Sequence, residues 1–423
     1  MVSIAPRAGI VYDLFGNQKT ALKASFGKYM QAGTVGFSQS QNPLLLTTQS
    51  VAWTDLNNDG IPQGELNCVY LATGCEINVA GNATIARQLP ANFGTVAPIA
   101  YASDIKRMYN VESTVSVQHE IYRGVSVTAG WYKREYFNLR RRFNTGVALS
   151  DFTPYTLYSP IDGSAITYYN PSAAKASQLA TNLVDQNAPD RTMKYNGFEY
   201  NFSARLPRNI SLFGGGMSER MLTNTCDDGW NPNLLLYCDQ SQNGLPFRTQ
   251  FKVAGSIPVK YGVSFGVAFQ SLPGYVYGTT AQYALTGVSG PSGITTNNPP
   301  AGVSSVWLIS RTTTYTASSP CVAQGKCKAG QLVNGAMTQS SQSVPLVAPM
   351  TEFGDRINPL DINFTKNIKV GRFNIQPKLD IFNLLNVASV TNVLGQNFGT
   401  AAYNQPSVIL NPRTVQVGAV VRF

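Results

Sequence analysis

Charge is the first thing this chain of 423 residues lacks. Asp, Glu, Lys and Arg together make up 13% of it, against about 25% in an ordinary soluble domain. Histidine is nearly absent, with His119 alone, so any Ser-His-Asp or Cys-His chemistry would have to run through that one ring. No apolar run reaches the ~18 residues that a membrane-crossing helix needs. The opening stretch MVSIAPRAGIVYDLFG has no basic segment followed by an apolar one, so it does not read as a secretion leader. The net charge of +10 is scattered, and Arg140, Arg141 and Arg142 form its densest cluster. With no basic stripe and no reader motif, no nucleic-acid partner is expected.

Apolar residues are by contrast present in ordinary amount, 43%, and aromatics reach 11% with 21 Tyr and 20 Phe. They recur with a period of two. Val125, Val127, Ala129 and Trp131 interleave with Ser126, Thr128 and Gly130. Val111, Val115, Val117 and Ile121 alternate with Glu112, Thr114, Ser116, Gln118 and Glu120. The same rhythm runs through Phe198–Leu206, Val263–Gln270 and Val415–Phe423. A period of two places apolar groups on one face of a strand and polar groups on the other.

The strands pair through tight turns at Gly16–Lys19, Arg123-Gly124, Pro207–Asn209, Val259–Gly262 and Lys369–Gly371. The expected hairpins are 4–15 with 20–30, 109–122 with 125–138, 194–206 with 210–222, 248–257 with 263–275, and 355–368 with 372–384. Long polar connections lie between them, at about 31–108, 139–193, 223–247, 276–354 and 385–411. Short turns at one end and long loops at the other are the layout of an outer-membrane barrel. Strands cross lipid only as a closed barrel, because every backbone N–H and C=O there needs a protein partner. The expectation is therefore an all-β, transmembrane antiparallel β-barrel over residues 1–423, with long extracellular loops, outward side chains facing lipid, and a bacterial outer-membrane location. A large soluble β-sandwich is the competing architecture. Tyr12, Tyr29, Tyr132, Tyr136 and Tyr275 sit near strand ends and are expected at the membrane interfaces. Within the loops, residues 173–186 read as a helix capped at Asn170–Ser172, with Leu179 and Leu183 on one face. Residues 303–316 read as extended β structure.

Five hairpins and a final strand make about eleven strands, whereas bacterial single-chain barrels hold even numbers. The expectation is the C-terminal portion of a larger barrel.

Three runs resemble a known family. Pro6-Arg7-Ala8-Gly9-Ile10-Val11-Tyr12-Asp13-Leu14-Phe15-Gly16 with Lys19-Thr20-Ala21-Leu22, and Asp355-Arg356-Ile357-Asn358 with Leu360-Asp361, Lys366 and Phe373, are similar to hairpins of TonB-dependent receptors. Asp380-Ile381-Phe382-Asn383-Leu384-Leu385-Asn386 resembles that superfamily's penultimate-strand signature, and the Oar-like barrels are the nearest subset. The resemblance implies a barrel of about 22 strands, a plug and an energy-coupling box, of which this sequence holds neither. It implies substrate uptake across the outer membrane through extracellular-loop binding, and coupling to the TonB complex through the plug. It further implies recognition of the terminal Phe423 by the barrel-assembly machinery, with outer-membrane lipid around the wall. A surface adhesion or scaffold protein without transport is the alternative. A barrel-embedded hydrolase would need a nucleophile and base that the sequence does not offer, so no enzyme is expected.

The six cysteines fall as close pairs in the loops, Cys68/Cys75, Cys226/Cys238 and Cys321/Cys327. An oxidising compartment favours three local disulfides, with zinc as the alternative. Asp55, Asn57 and Asp59, followed by Gly60, match the first half of a calcium loop. Position twelve is Leu66, with Glu65 one place early, and an Asn/Asp/Gly turn without an ion accounts for the same residues. Glu112, Glu120, Glu199, Asp361 and Asp380 are expected on the lumen wall facing Arg205, Lys252 and Lys378. Gly214–Gly216 falls inside a strand, which excludes a phosphate loop and suits a bend or a close plug contact.

Overall fold

The computed structural model describes residues 4–31, 53–64, 68–77, 99–274, 276–277, 306–394, 397–399 and 401–423. One antiparallel sheet dominates it. Its strands are β1 (Arg7–Asp13), β2 (Thr20–Met30), β3 (Tyr109–Tyr122), β4 (Val125–Phe137), β5 (Thr192–Leu206) and β6 (Ile210–Asn224). The sheet continues with β7 (Arg248–Pro258), β8 (Val263–Ser271), β9 (Leu360–Lys366, resuming at Ile368–Val370), β10 (Phe373–Phe382) and β11 (Thr414–Arg422). Each pairs with the next in chain order. β9 breaks where the shared register sets Lys366 opposite Pro377, since proline has no N–H to give the ladder. Taking the two pieces of β9 as one gives the eleven expected strands. Tyr275, at the end of an expected strand, lies outside the described residues.

The register carries the apolar face unbroken across the sheet. Ala24, Val115, Trp131 and Phe198 share one row. Leu22, Val117, Ala129 and Tyr200 share the next, which continues to Gly216 and Phe251. No second layer of protein covers this face: Val117 is 40% exposed and Phe198 51%. A soluble sheet would bury such a face. A wall in lipid leaves it bare to the hydrocarbon.

The opposite face is polar and bonded to itself. Lys23 Nζ donates to Gln118 at 2.8 Å, and the Ser25 and Thr114 hydroxyls share a hydrogen bond of 2.6 Å. Arg134 meets Glu112 at 2.7 Å, and Tyr195 donates to Glu219 at 3.0 Å. Of the expected carboxylate partners only Lys378 appears, 3.8 Å from Asp380. Glu199 instead accepts from Asn201, Glu120 from the Gly124 N–H and Asp361 from the Asn383 N–H.

Register also corrects the tyrosines. Tyr12 lies on the outward row with Leu22, as expected of an interfacial ring. Tyr29, Tyr132 and Tyr136 fall on the inward parity with Gly27, Thr114 and Asn110. There Arg7 sits over the Tyr29 ring at 4.5 Å. Proximity to a strand end does not decide which way a ring points; parity does.

The run 380–386 is a structural latch. Asn383 is buried with φ +49°. Its amide donates to the carbonyls of Val387 and Asn411, while its oxygen accepts from the Val387 N–H. Asn386 accepts from the Arg413 N–H. Two asparagines thus turn the chain out of β10 and aim it into β11. Asn383→Ala is expected to cost about 1–3 kcal/mol, because it orphans buried backbone groups; urea midpoints measure it.

The long loops fold rather than wander. Val306–Ser310 pairs with Ser341–Pro345, and Phe152–Tyr158 pairs with Pro171 back to Ala165. Between them Leu157, Trp307, Ile309, Tyr315, Val333 and Val344 form a buried core. The extended segment expected near 303–316 is present at Val306–Ser310; residues 303–305 lie outside the described part. The helix expected over 173–186 is absent. That stretch holds a short 3-10 turn, Ala176–Gln178, and a strand, Leu183–Asn187, paired with Arg140–Asn144. Asn170 is no cap either, because its amide is buried in a cluster with Asn334 and Gln342. Sheet pairing and buried amides outbid local helix propensity there. Among the described residues no helix is long and apolar enough to cross a membrane.

Candidate functional site

The folded loops form a cap built from four connections, 139–193, 223–247, 276–354 and 385–411. Charge fixes them to one another. Arg142 grips Asp185 with two hydrogen bonds, 2.8 and 3.1 Å. Arg191 lies 3.1 Å from Asp227 and 2.6 Å from Asp228, the latter an ion contact without hydrogen-bond alignment. Arg141 donates to the Asp227 carbonyl. The basic cluster therefore braces loops. Burial pushes the Asp228 carboxyl above its ordinary range, and Arg191 pulls it back down.

All three expected cysteine pairs are disulfides, Cys68–Cys75, Cys226–Cys238 and Cys321–Cys327. The last of these supports the turn Ser159–Ser164. Gln324 donates to the Asp162 carbonyl at 2.8 Å, and Lys326 donates to the Gly163 carbonyl at 3.1 Å. Gly163 has φ +72°, and a Cβ on it would lie 3.0 Å from the Cys321 nitrogen. Only glycine fits there.

That turn forms one side of a cavity of about 850 Å³ in the cap. Ser159, Asp162 and Thr167 line it on one side; Tyr237, Phe398 and Tyr403 bring three rings from two other loops. Phe398 and Tyr403 meet edge to face at 5.2 Å. Tyr237 takes φ +61°, a strained conformation for a bulky residue, next to the Cys226–Cys238 bridge. Burial first, and the Asp162 charge second, push the Tyr237 hydroxyl's pKa up. The N–H and hydroxyl of Ser164 hold the Asp162 carboxyl below its usual range. The recess offers rings for stacking, one carboxylate and several hydroxyls, which suits recognition rather than bond-making. A second recess of about 700 Å³ lies along Gly214–Gly216, with Glu199, Asn201, Phe213 and Lys252 on the polar side of the sheet. His119 stands near the turn end of β3 on its outward face, its Nδ1 2.9 Å from the Thr20 hydroxyl.

Asp55, Asn57 and Asp59 lie in one turn, as the sequence implies. Glu76 brings a third carboxylate to that turn, one of its oxygens lying within 4.8 Å of one oxygen each of Asp55 and Asp59. Glu76 is 1% exposed and accepts N–H bonds from Leu56 and Gln63 at 2.8 and 3.2 Å. Glu65 and Leu66 lie outside the described residues. Sequence spacing alone misses Glu76; the Cys68–Cys75 bridge just before it is the signal that brings it back.

Two residue sets are thus recorded: an aromatic recess in the cap and an all-oxygen cluster in the first loop. The family model described as "Outer membrane beta barrel domain" matches residues 2–416. The chain belongs to that family, and its place is the bacterial outer membrane. Solved structures similar to the chain include the outer membrane transporter YddB from Escherichia coli, 12% identical with a TM-score of 0.43, aligned over 99% of this chain and 40% of that one. The siderophore receptor PiuA from Acinetobacter baumannii is 10% identical, TM-score 0.44, over 98% and 35%. The ferric-catecholate import receptor Fiu from E. coli K12 is 9% identical, TM-score 0.39, over 98% and 34%. The chain spans about two fifths or less of the length of these proteins. No curated protein matches the sequence.

Proposed function

We propose that the chain is the C-terminal wall of a TonB-dependent receptor of the Oar-like kind, which takes up a substrate bound first by the extracellular cap. The carrying observation is the open sheet. β1 and β11 are not paired with each other, and a bare strand edge is not tolerated in hydrocarbon. With eleven strands, the first and last run in the same direction. A second copy placed edge to edge would therefore create parallel seams, whereas an odd number of further strands closes the wall antiparallel throughout. Half of a 22-strand barrel meets that condition. The polar recess along Gly214–Gly216, with the inward Phe213 57% exposed, is the wall surface suited to a plug. Coupling to the TonB complex through that plug, recognition of Phe423 by the assembly machinery, and the absence of catalysis belong to the same reading.

The test uses the natural gene product in its own cells. Medium components consumed by wild-type cells, but not by cells lacking the gene or lacking TonB, support receptor-mediated uptake. Unchanged uptake with lost surface attachment supports the adhesion alternative instead.

For the first loop, calcium is a proposal on the same footing. Asp55, Asn57, Asp59 and Glu76 make an all-oxygen donor set of the kind this hard cation takes. Calcium titration of the full chain by calorimetry should show one site that Glu76→Gln weakens at least tenfold. A flat titration leaves an Asx turn bonded to a buried glutamate.

Reducing Cys321–Cys327 by paired serine substitution should cost the cap about 2–3 kcal/mol and free the Ser159–Ser164 turn. Protease nicking near 159–164, with the strands intact, reads it out. The turn also has a pH signature. Because the Asp162 pKa is lowered in the folded state, its contribution is complete above about pH 3.9 and is lost as pH falls below that through the lowered value.

A further inference from the structure

The aromatic recess of the cap holds one charge and nothing to balance it. Among the described residues that line it, Asp162 is the one that is charged at neutral pH. The Ser164 N–H donates to its carboxylate at 3.0 Å and the Ser164 hydroxyl at 2.8 Å. These bonds hold its pKa below the usual range, so the group is fully ionised in any medium near neutrality. No cation shares this work. Lys326, which is bonded to the same turn, gives its ammonium to the Gly163 carbonyl at 3.1 Å and does not line the recess. Among the described residues no ion pair includes Asp162.

The same recess is rich in rings. Tyr237 comes from loop 223–247, and Phe398 and Tyr403 from loop 385–411; Leu236 and Leu346 add aliphatic surface. The Asp162 charge reaches the Tyr237 hydroxyl, where it adds to burial in raising the phenol's pKa. Carboxylate and rings therefore act on one space. Its volume of about 850 Å³ lies within the range of small-molecule sites, about 300–1,000 Å³. An unbalanced carboxylate beside aromatic rings attracts a cation twice, by direct charge and through the ring quadrupoles. It repels an anion. A neutral sugar could use the rings and hydroxyls, but it would leave the charge uncompensated.

We infer that this recess binds a small organic cation, an ammonium or guanidinium group carried on an apolar body. Asp162 takes the charged head, while Tyr237, Phe398 and Tyr403 cover the body and the flank of the charge. The inference rests on the reading of the cap as the part that binds substrate, and it names the chemical class of that substrate.

The experiment is calorimetry on the natural full-length protein in neutral detergent, with three probes. They are Nα-acetyl-phenylalanyl-arginine amide, its citrulline counterpart of nearly the same shape without the charge, and maltotriose as a neutral sugar. The arginine peptide should bind about tenfold more tightly than the citrulline peptide. Asp162→Asn keeps an oxygen for Ser164, so the turn should survive. It should bring the arginine peptide down to the citrulline value and leave the citrulline peptide where it was. Asp239→Asn is the matched control. That carboxylate also accepts from the N–H and hydroxyl of a serine two residues on, at 2.9 and 2.7 Å, but lies outside the recess; its loss should leave the arginine peptide's affinity unchanged. Equal binding of the two peptides, no binding of either, tighter binding of maltotriose, or equal loss in both variants overturns the inference. Uptake is scored separately, in cells with and without TonB. The expected charge preference without TonB-dependent uptake of the arginine peptide supports the cation class and removes the uptake reading. TonB-dependent uptake of medium components that excess arginine peptide does not slow overturns the cation class and leaves the uptake reading standing.

Discussion

Val117→Arg should lower the stability of the wall by about 2–4 kcal/mol, while Ser116→Arg, one residue away, should change it little. Val117 lies mid-band on β3, between Leu22 and Ala129, 40% exposed to what surrounds the protein. An arginine there must drag its charge into hydrocarbon or distort the wall around it. Ser116 faces the polar side beside Lys23 and Gly130, where water solvates an added cation. Urea-induced unfolding of the full chain in neutral detergent gives both midpoints. Equal effects at the two positions would mean that neither face meets lipid.

Arg191→Leu should cost the cap about 3–5 kcal/mol, since removing one member of a buried ion cluster strands its partners. Arg191, Asp227 and Asp228 have side chains only 5%, 3% and 10% exposed. The loss should be local, with loop 223–247 becoming protease-sensitive and the strands unaffected. It should also depend on pH. The Asp228 pKa is raised by burial even with the arginine present, and removing the arginine raises it further. A carboxyl with a raised folded-state pKa is tolerated below its ordinary value of about 3.9. The penalty then grows as pH rises through the raised value. The variant's deficit should therefore be small in acid and full at neutrality. Adding Asp228→Asn should recover part of it.

The wall was legible in the sequence because its physics is local and periodic. Alternation in 109–138, two-residue turns such as Arg123-Gly124 and the five hairpins are all written in neighbouring residues, and observed strand ends agree to a few residues. The last hairpin departs most, because the Asp355–Pro359 stretch precedes β9 rather than forming it. Facing was less legible for tyrosines: Tyr132 and Tyr136 obey the parity of their own strand, and counting from Trp131 would have placed them inward. The cap was not legible. Leu157, Trp307 and Val344 come from segments more than a hundred residues apart in part, and no short-range pattern announces that they share a core. The same holds for the recess, where Asp162, Tyr237 and Phe398 come from three loops. The cysteine pairs were readable by proximity, yet their consequence was not: Cys321–Cys327 supports the turn that carries Asp162, and Cys68–Cys75 returns Glu76 to Asp55 and Asp59.

The most direct test of the membrane wall is a spin-label scan along β3 and β4, residues 111–121 and 125–135, in the natural full-length protein reconstituted in lipid. Collisions with oxygen, which concentrates in hydrocarbon, should peak at 115, 117, 127, 129 and 131. Collisions with a water-soluble nickel chelate should peak at 114, 116, 118, 128 and 130, with the two profiles out of phase at a period of two. Water access at every position, or oxygen access with no period of two, would contradict a wall with one face in lipid and the other lining a lumen.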